Sequence, residues 1–304
     1  MLVVGPLAYD DVRTPTARRI GVLGGSAAYA SIAAAKHAPT GLVSVAGLDL
    51  DDDDLRLLGR AGVDIRGVER RDGRTLRWSA TYADDFTRSE VRNTDLGVVS
   101  GWQPRIPNAF RDAGRVFLAN TDPRAQLEAL EQLAPEIVVL DTMEQWIRAG
   151  RQLSLVIARS TVLSVNAREL ALITGVDDDA RATMAILERG LRAVIVKRGA
   201  AGATLATPER TVSVPAHPAT VVDPTGAGDA FAGAFIGRLA ALGSADDAAL
   251  REAFAHGAAA ASITVGSFGV DALVRAERSE LDRRAAWVDA RAGTGQAAPL
   301  YEGQ

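Results

Sequence analysis

Val221-Val222-Asp223-Pro224-Thr225-Gly226-Ala227-Gly228-Asp229-Ala230-Phe231 is the stretch on which the reading of this chain turns. Two β-branched residues lead into an Asp-Pro turn and a Gly-Ala-Gly segment, after which Phe231, Phe235, Leu239 and Leu242 recur at helical spacing. A glycine-rich turn that opens a helix presents unpaired backbone N–H groups and the positive end of the helix dipole, which suits an anion. Asp229 in the same turn would repel that anion. The two features fit together if Asp229 accepts a proton from a hydroxyl while the N–H groups of Gly226, Ala227 and Gly228 stabilise charge on a transferred phosphoryl group. A plain strand-turn-helix with an acidic residue favoured by the dipole gives the same pattern, so the stretch alone leaves both readings open.

Working outward, short apolar runs at residues 2–4, 42–46, 116–119, 137–140, 161–165 and 193–196 alternate with helical pattern. That alternation predicts an α/β fold, a doubly wound and mainly parallel sheet with helices on both faces. The chain of 304 residues has 47% hydrophobic and 24% charged content, enough for a large buried core. It shows no internal repeat and no interdomain linker, so one domain over 1–304 is expected, with a small, polar, unstructured tail from about 292. A net charge of −4 leaves no basic footprint for nucleic acid. The absence of cysteine excludes disulfides and thiolate metal sites, and the three histidines form no ligand-like pair. No apolar run approaches the roughly 20 residues of a membrane span, and no basic segment precedes an apolar run at the N-terminus. A cytoplasmic protein with no membrane partner is the expectation.

Residues 75–82 alternate, with Leu76, Trp78, Ala80 and Tyr82 on one face. Together with 12–20 and 89–96 they predict a small second sheet whose aromatic face needs covering. Asp10 and Asp11 follow the first strand, where an open sheet places its ligands, although an acidic pair in a loop is commonly just solvated. The acidic run at 49–54 reads as a helix start, because adjacent carboxylates cannot converge on one ion. Asn166 and Glu169 share a face at a helix start, a spacing that serves either a hydrated Mg²⁺ or a capping box. No Walker A pattern occurs, so phosphates are not held by a P-loop.

The run Asp223-Pro224-Thr225-Gly226-Ala227-Gly228-Asp229-Ala230-Phe231-Ala232-Gly233 resembles the C-terminal signature of the ribokinase/PfkB family of sugar and nucleoside kinases. Gly24-Gly25 and Asn166-Ala167-Arg168-Glu169 match further family motifs in the family's order, so the resemblance covers nearly the whole chain. It implies a ribokinase-like fold with a β-sheet lid over the acceptor, and a homodimer formed through that lid. It also implies transfer of the γ-phosphoryl group of ATP to a hydroxymethyl group of a sugar, with ATP and Mg²⁺ as cofactors and K⁺ as a further candidate. By the same resemblance Asp229 is the base, and Gly226, Ala227 and Gly228 hold the transferred group. Asp10, Gly24, Gly25 and Tyr29 meet the acceptor. Asn166, Glu169, Lys197, Gly199, Thr225, Gly228 and His256 meet ATP, with Asn166 and Glu169 at Mg²⁺, mostly through water.

Two departures bear on the acceptor. Tyr29 stands where many members carry Asn, and its ring opens a place for a flat group to stack. Asp141-Thr142-Met143-Glu144 stands where the family often has Asp-Pro-Asn. The alternative to a sugar kinase is therefore a nucleoside kinase, with Tyr29 and the Trp78/Tyr82 face supplying the slot. A non-catalytic ligand-binding protein on the same fold is the rival from another class, and the intact Asp229 and Gly226-Ala227-Gly228 argue against it.

Overall fold

The computed structural model describes residues 1–84, 86, 89–148 and 150–296. The main sheet contains β1 (Leu2–Val4), β4 (Thr40–Gly47), β5 (Val63–Arg71), β8 (Arg115–Leu118), β9 (Ile137–Asp141), β10 (Val162–Asn166), β11 (Ala193–Lys197), β12 (Ala203–Ala206), β13 (Arg210–Val214) and β14 (Gly293–Gln296). The small sheet contains β2 (Ala8–Arg13), β3 (Arg18–Gly24), β6 (Leu76–Tyr82) and β7 (Ser89–Asp95).

The apolar runs read from the sequence become the parallel strands β11-β10-β9-β8-β1-β4, and β5, which the sequence reading did not pick out, extends them at the edge. Successive residues of each strand feed opposite cores. Val3, Phe117, Val139 and Ile195 enter one cluster, while Leu2, Val4, Val116, Leu118, Val194 and Val196 enter the other. A strand buried on both faces has no use for polar alternation, which is why these runs are continuous. Helices Ser26–Ala35, Ala227–Leu242 and Asp247–Thr264 cover the first face. Pro123–Glu131, Arg151–Ala158 and Asp179–Leu187 cover the second. From β1 the chain adds β4 and β5 on one side and β8 to β11 on the other. The order reverses at β1 and β8, and beyond the carboxyl ends of strands at such a point a crevice opens.

The small sheet has the order β3-β2-β6-β7, with β2 and β6 parallel and the other pairs antiparallel. The expected strand at 12–20 is instead the turn of a hairpin and parts of two strands. The Thr14 N–H donates to Ala17 O at 2.8 Å, closing a turn around Pro15, which has no N–H to give a ladder. The unstructured tail expected from 292 is also corrected for its first residues. Gly293–Gln296 pairs antiparallel with β13, using backbone groups that need no apolar side chain. Residues 297–304 of that expectation lie outside the described residues.

Candidate active site

A cavity of about 410 Å³ lies beyond the carboxyl ends of the parallel strands, and Leu76, Trp78 and Tyr82 of β6 line it from the small sheet. The alternation read at 75–82 therefore turns its aromatic face inward. A wider groove of about 750 Å³ runs beside Tyr9, but its charged groups are already engaged. Arg77 pairs with Asp49 at 2.8 Å and the Tyr9 hydroxyl donates to Asp54 at 2.7 Å.

The glycine turn forms one wall of the cavity through Thr225, Gly226, Gly228 and Asp229. Gly226 is the N-cap of helix Ala227–Leu242, with φ 76° and ψ −3°. A Cβ at this position would overlap the ring of Tyr29, so glycine is demanded both by the left-handed backbone and by the close approach. The Thr225 N–H donates to Asp223 Oδ1 at 2.9 Å, which sets the turn. The expected trio of N–H groups is reduced to two, because Ala227 N–H donates to Pro224 O at 3.2 Å. Gly226 and Gly228 carry the N–H groups without a backbone partner among the described residues.

Lys197 closes the far side of this turn. Its Nζ lies 3.1 Å from where a Gly228 Cβ would stand and donates to Asp141 Oδ2 at 2.6 Å. Burial works against the ammonium, but the carboxylates of Asp141 and Glu169 outweigh it and hold Lys197 above its ordinary range. Asp229 is pushed up to about 7 by burial and by the charge of Asp141, with Lys197 pulling the other way. Glu169 is likewise raised to about 7 by burial, against the pull of Lys197. Asn166 and Glu169 do form the capping box, with both reciprocal bonds at 2.9 Å, and both residues also line the cavity. Gly199 lines it too.

At the other end Asp10 sits within strand β2, 3% exposed, rather than in the loop its sequence neighbours suggested. Gly24 faces it so closely that a Cβ would overlap the Asp10 carboxylate, and the Gly25 N–H bonds to that carboxylate. Burial, and then the nearby Asp223, raise Asp10 to about 8. Tyr29 lines the cavity but does not offer the open stacking face expected of it. It is 1% exposed, its ring lies on the Gly226 turn, and its hydroxyl has no hydrogen-bond partner among the described residues. Burial and the carboxylates of Asp10, Asp223 and Asp229 hold that hydroxyl well above the ordinary tyrosine range. The Tyr82 hydroxyl stands 3.0 Å from Thr225 Oγ1, which ties the small sheet to the glycine turn.

Three predicted residues do not line the cavity, namely Gly24 and Ala227, whose chain neighbours do, and His256. It packs edge-on against His37 with ring centroids 4.9 Å apart, and the two are 5% and 7% exposed. Burial lowers His37 to about 3 and His256 to about 4, so both stay neutral in the folded state while an unfolded histidine protonates near 6.5. The unfolded chain then binds protons that the native one refuses, and this contribution to stability is lost as pH falls below about 6.5. Above that pH it is fully present. In urea unfolding, the stability advantage of wild type over His37→Asn should shrink between pH 7.5 and 5.0. An advantage that does not change with pH would rule out the buried pair as its source.

Sequence reasoning missed two polar residues that follow β8 and line the cavity, Asn120 and Thr121, and it noted Thr142 after β9 only as part of a departure bearing on the acceptor. It also missed the pairing of Lys197 with Asp141, 56 residues away. Their position just past an apolar run was the available signal.

A lidded cavity beyond parallel strand ends, with a carboxylate in a glycine turn at a helix N-terminus, defines a kinase of the ribokinase fold. The E. coli putative Ribokinase II, solved in complex with ATP and Mg²⁺, superposes with a TM-score of 0.76 at 21% identity, over 94% of this chain and 98% of that one. The model of the pfkB family carbohydrate kinases matches residues 9–276, and the chain belongs to that family. It is a phosphotransferase that acts on an alcohol group, as members phosphorylate hydroxyls of sugars and nucleosides. A cytidine kinase of Thermococcus kodakarensis is 30% identical over 78% of this chain and 87% of its own length. An ATP-dependent ribose-1-phosphate kinase of Halopiger xanaduensis is 31% identical over 70% of this chain and 72% of its own length. Among the described residues no helix is long and apolar enough to cross a membrane.

Proposed function

We propose that this protein is a cytoplasmic nucleoside kinase that transfers the γ-phosphoryl group of ATP to the hydroxymethyl group of the acceptor's ribose. The observation that carries this reading is the make-up of the cavity. It joins Asp10 and Asp229 to an apolar, aromatic wall of Leu76, Trp78, Tyr82, Met143 and Trp146, more than a free sugar needs. Similarity to a cytidine kinase supports the same choice.

Asp229 takes the proton of the attacking hydroxyl as its oxygen bonds to the γ-phosphorus and the bond to the ADP oxygen breaks. The N–H groups of Gly226 and Gly228, with the Lys197 ammonium beside them, face the charge on the phosphoryl oxygens. Glu169 and Asn166 fit a Mg²⁺ held mainly through water. The described residues contain no group of three acidic or histidine side chains that could hold an ion, and Asn166 Oδ1 is engaged by the Glu169 N–H. When bound, such an ion neutralises phosphate charge. A K⁺ requirement belongs to the same reading, because Asp223 is 1% exposed and its Oδ2 is unpaired. So does pairing of two copies through the small sheet, where Ile20 and Val91 stand 63% and 47% exposed.

A coupled ATP-consumption assay with Mg²⁺, with and without K⁺, tests the reading across nucleosides, pentoses and hexoses. Nucleosides should exceed free ribose in kcat/KM by at least ~10-fold, the scale of one filled apolar contact. Turnover confined to free sugars would replace the nucleoside with a sugar, the second reading that Asp10 and Gly25 alone would satisfy.

A further inference from the structure

We infer that the acceptor is an uncharged molecule read by the side chains of Tyr29, Thr121, Thr142 and Asn120, and not by cationic side chains. This rests on the kinase reading above and adds to it the charge of the substrate and the residues that select it. Leu118 and Leu140 are register partners on neighbouring parallel strands, so the segments that follow them, with Asn120 and Thr121 on one and Thr142 on the other, emerge side by side. All three residues line the cavity, and Tyr29 lines it as well. The hydroxyls of Tyr29, Thr121 and Thr142 and the Asn120 Oδ1 are buried and have no hydrogen-bond partner among the described residues. Tyr29, Thr121 and Thr142 are 1%, 1% and 3% exposed. Buried polar atoms are nearly always paired in native proteins, so several unpaired ones around one cavity mark groups kept for a ligand.

Their chemistry specifies that ligand's class. A hydroxyl both donates and accepts, and an amide oxygen accepts, which suits hydroxyl, amide and carbonyl groups but does not neutralise a phosphate. Among the described residues lining the cavity, Lys197 is the one cation, and it lies against Gly228 on the phosphoryl side, bonded to Asp141. The same lining carries the carboxyls of Asp10, Asp141, Glu169 and Asp229. A phosphorylated acceptor would bring a dianion into a buried setting whose one lining cation is already bonded to Asp141, and a buried charge without a partner is costly.

Two measurements test this. Wild-type enzyme should prefer cytidine or another neutral nucleoside to ribose 1-phosphate by at least ~10²-fold in kcat/KM. Thr121→Val and Thr142→Val keep side-chain shape, and each should raise the acceptor KM by about tenfold while the KM for ATP moves far less. Thr121→Ser should restore the acceptor KM, which a merely structural role would not predict. Preference for ribose 1-phosphate, or an unchanged acceptor KM in both valine variants, overturns the inference while leaving the kinase reading intact. Absence of turnover with every acceptor, ribose 1-phosphate included, overturns the kinase reading itself.

Discussion

Asp229→Asn should keep ATP binding and lower kcat by at least ~10²-fold, the low end for losing a general base. The amide has the same shape, so the turn and the helix it opens remain in place, but it cannot accept the hydroxyl proton. The environment of Asp229 sharpens the test. Burial and the charge of Asp141 raise its carboxyl to about 7, so the group that must be ionised to act is partly protonated at neutral pH. Wild-type activity should therefore rise with pH through a limb near 7, and the residual activity of the Asn variant should lack that limb. Isothermal titration with ATP, beside steady-state rates from pH 5.5 to 9, separates the two quantities. Turnover within a few-fold of wild type would remove Asp229 from the role of base.

Gly226→Ala carries the second large effect, and here stability and activity should fall together. The residue is at φ 76°, where a Cβ costs about 1–2 kcal/mol, and overpacking against a buried ring adds about 1–3 kcal/mol. The ring in question is Tyr29, which has little room to withdraw because it is 1% exposed and belongs to helix Ser26–Ala35. Urea unfolding should show a loss of roughly 2–5 kcal/mol. A Tyr29→Leu change made in the same chain should cost less than it does alone, since the smaller side chain relieves the overlap. Strict additivity of the two changes would mean that the ring is not what constrains the glycine. The kcat should drop as well, because a turn displaced by the new Cβ moves the N–H groups of residues 226 and 228, which have no backbone partner among the described residues.

Much of this was legible in the chain. Continuous runs such as Leu2-Val3-Val4 and Ala193-Val194-Ile195-Val196 have no amphipathic alternative and had to become strands buried on both faces. The glycine turn was legible because its requirements are local, a left-handed residue before a helix with a carboxylate in the first turn. What failed to show was set by distance. Nothing near Lys197 announces Asp141, and nothing in an alanine-rich helix says that the Tyr29 ring will be sealed against Gly226. His256 misled for the same reason. The family resemblance implied a ligand contact for it, and only the arrival of His37 from another helix end shows it as buried packing. Thr121 carries no pattern at all and Thr142 shows only as a departure from a family motif, since their meaning comes from β8 and β9 lying side by side.

Asp10 belongs to β2, and β2 is a strand of the small sheet and not of the main one. The only covalent link from β1 is the short stretch Gly5-Pro6-Leu7. A pivot of the small sheet would therefore carry Asp10 and Tyr82 together and part the Tyr82 hydroxyl from Thr225. On the proposed reading, the strand that would bind the acceptor through Asp10 belongs to the sheet that also covers the cavity, so holding the acceptor and covering it would be a single event.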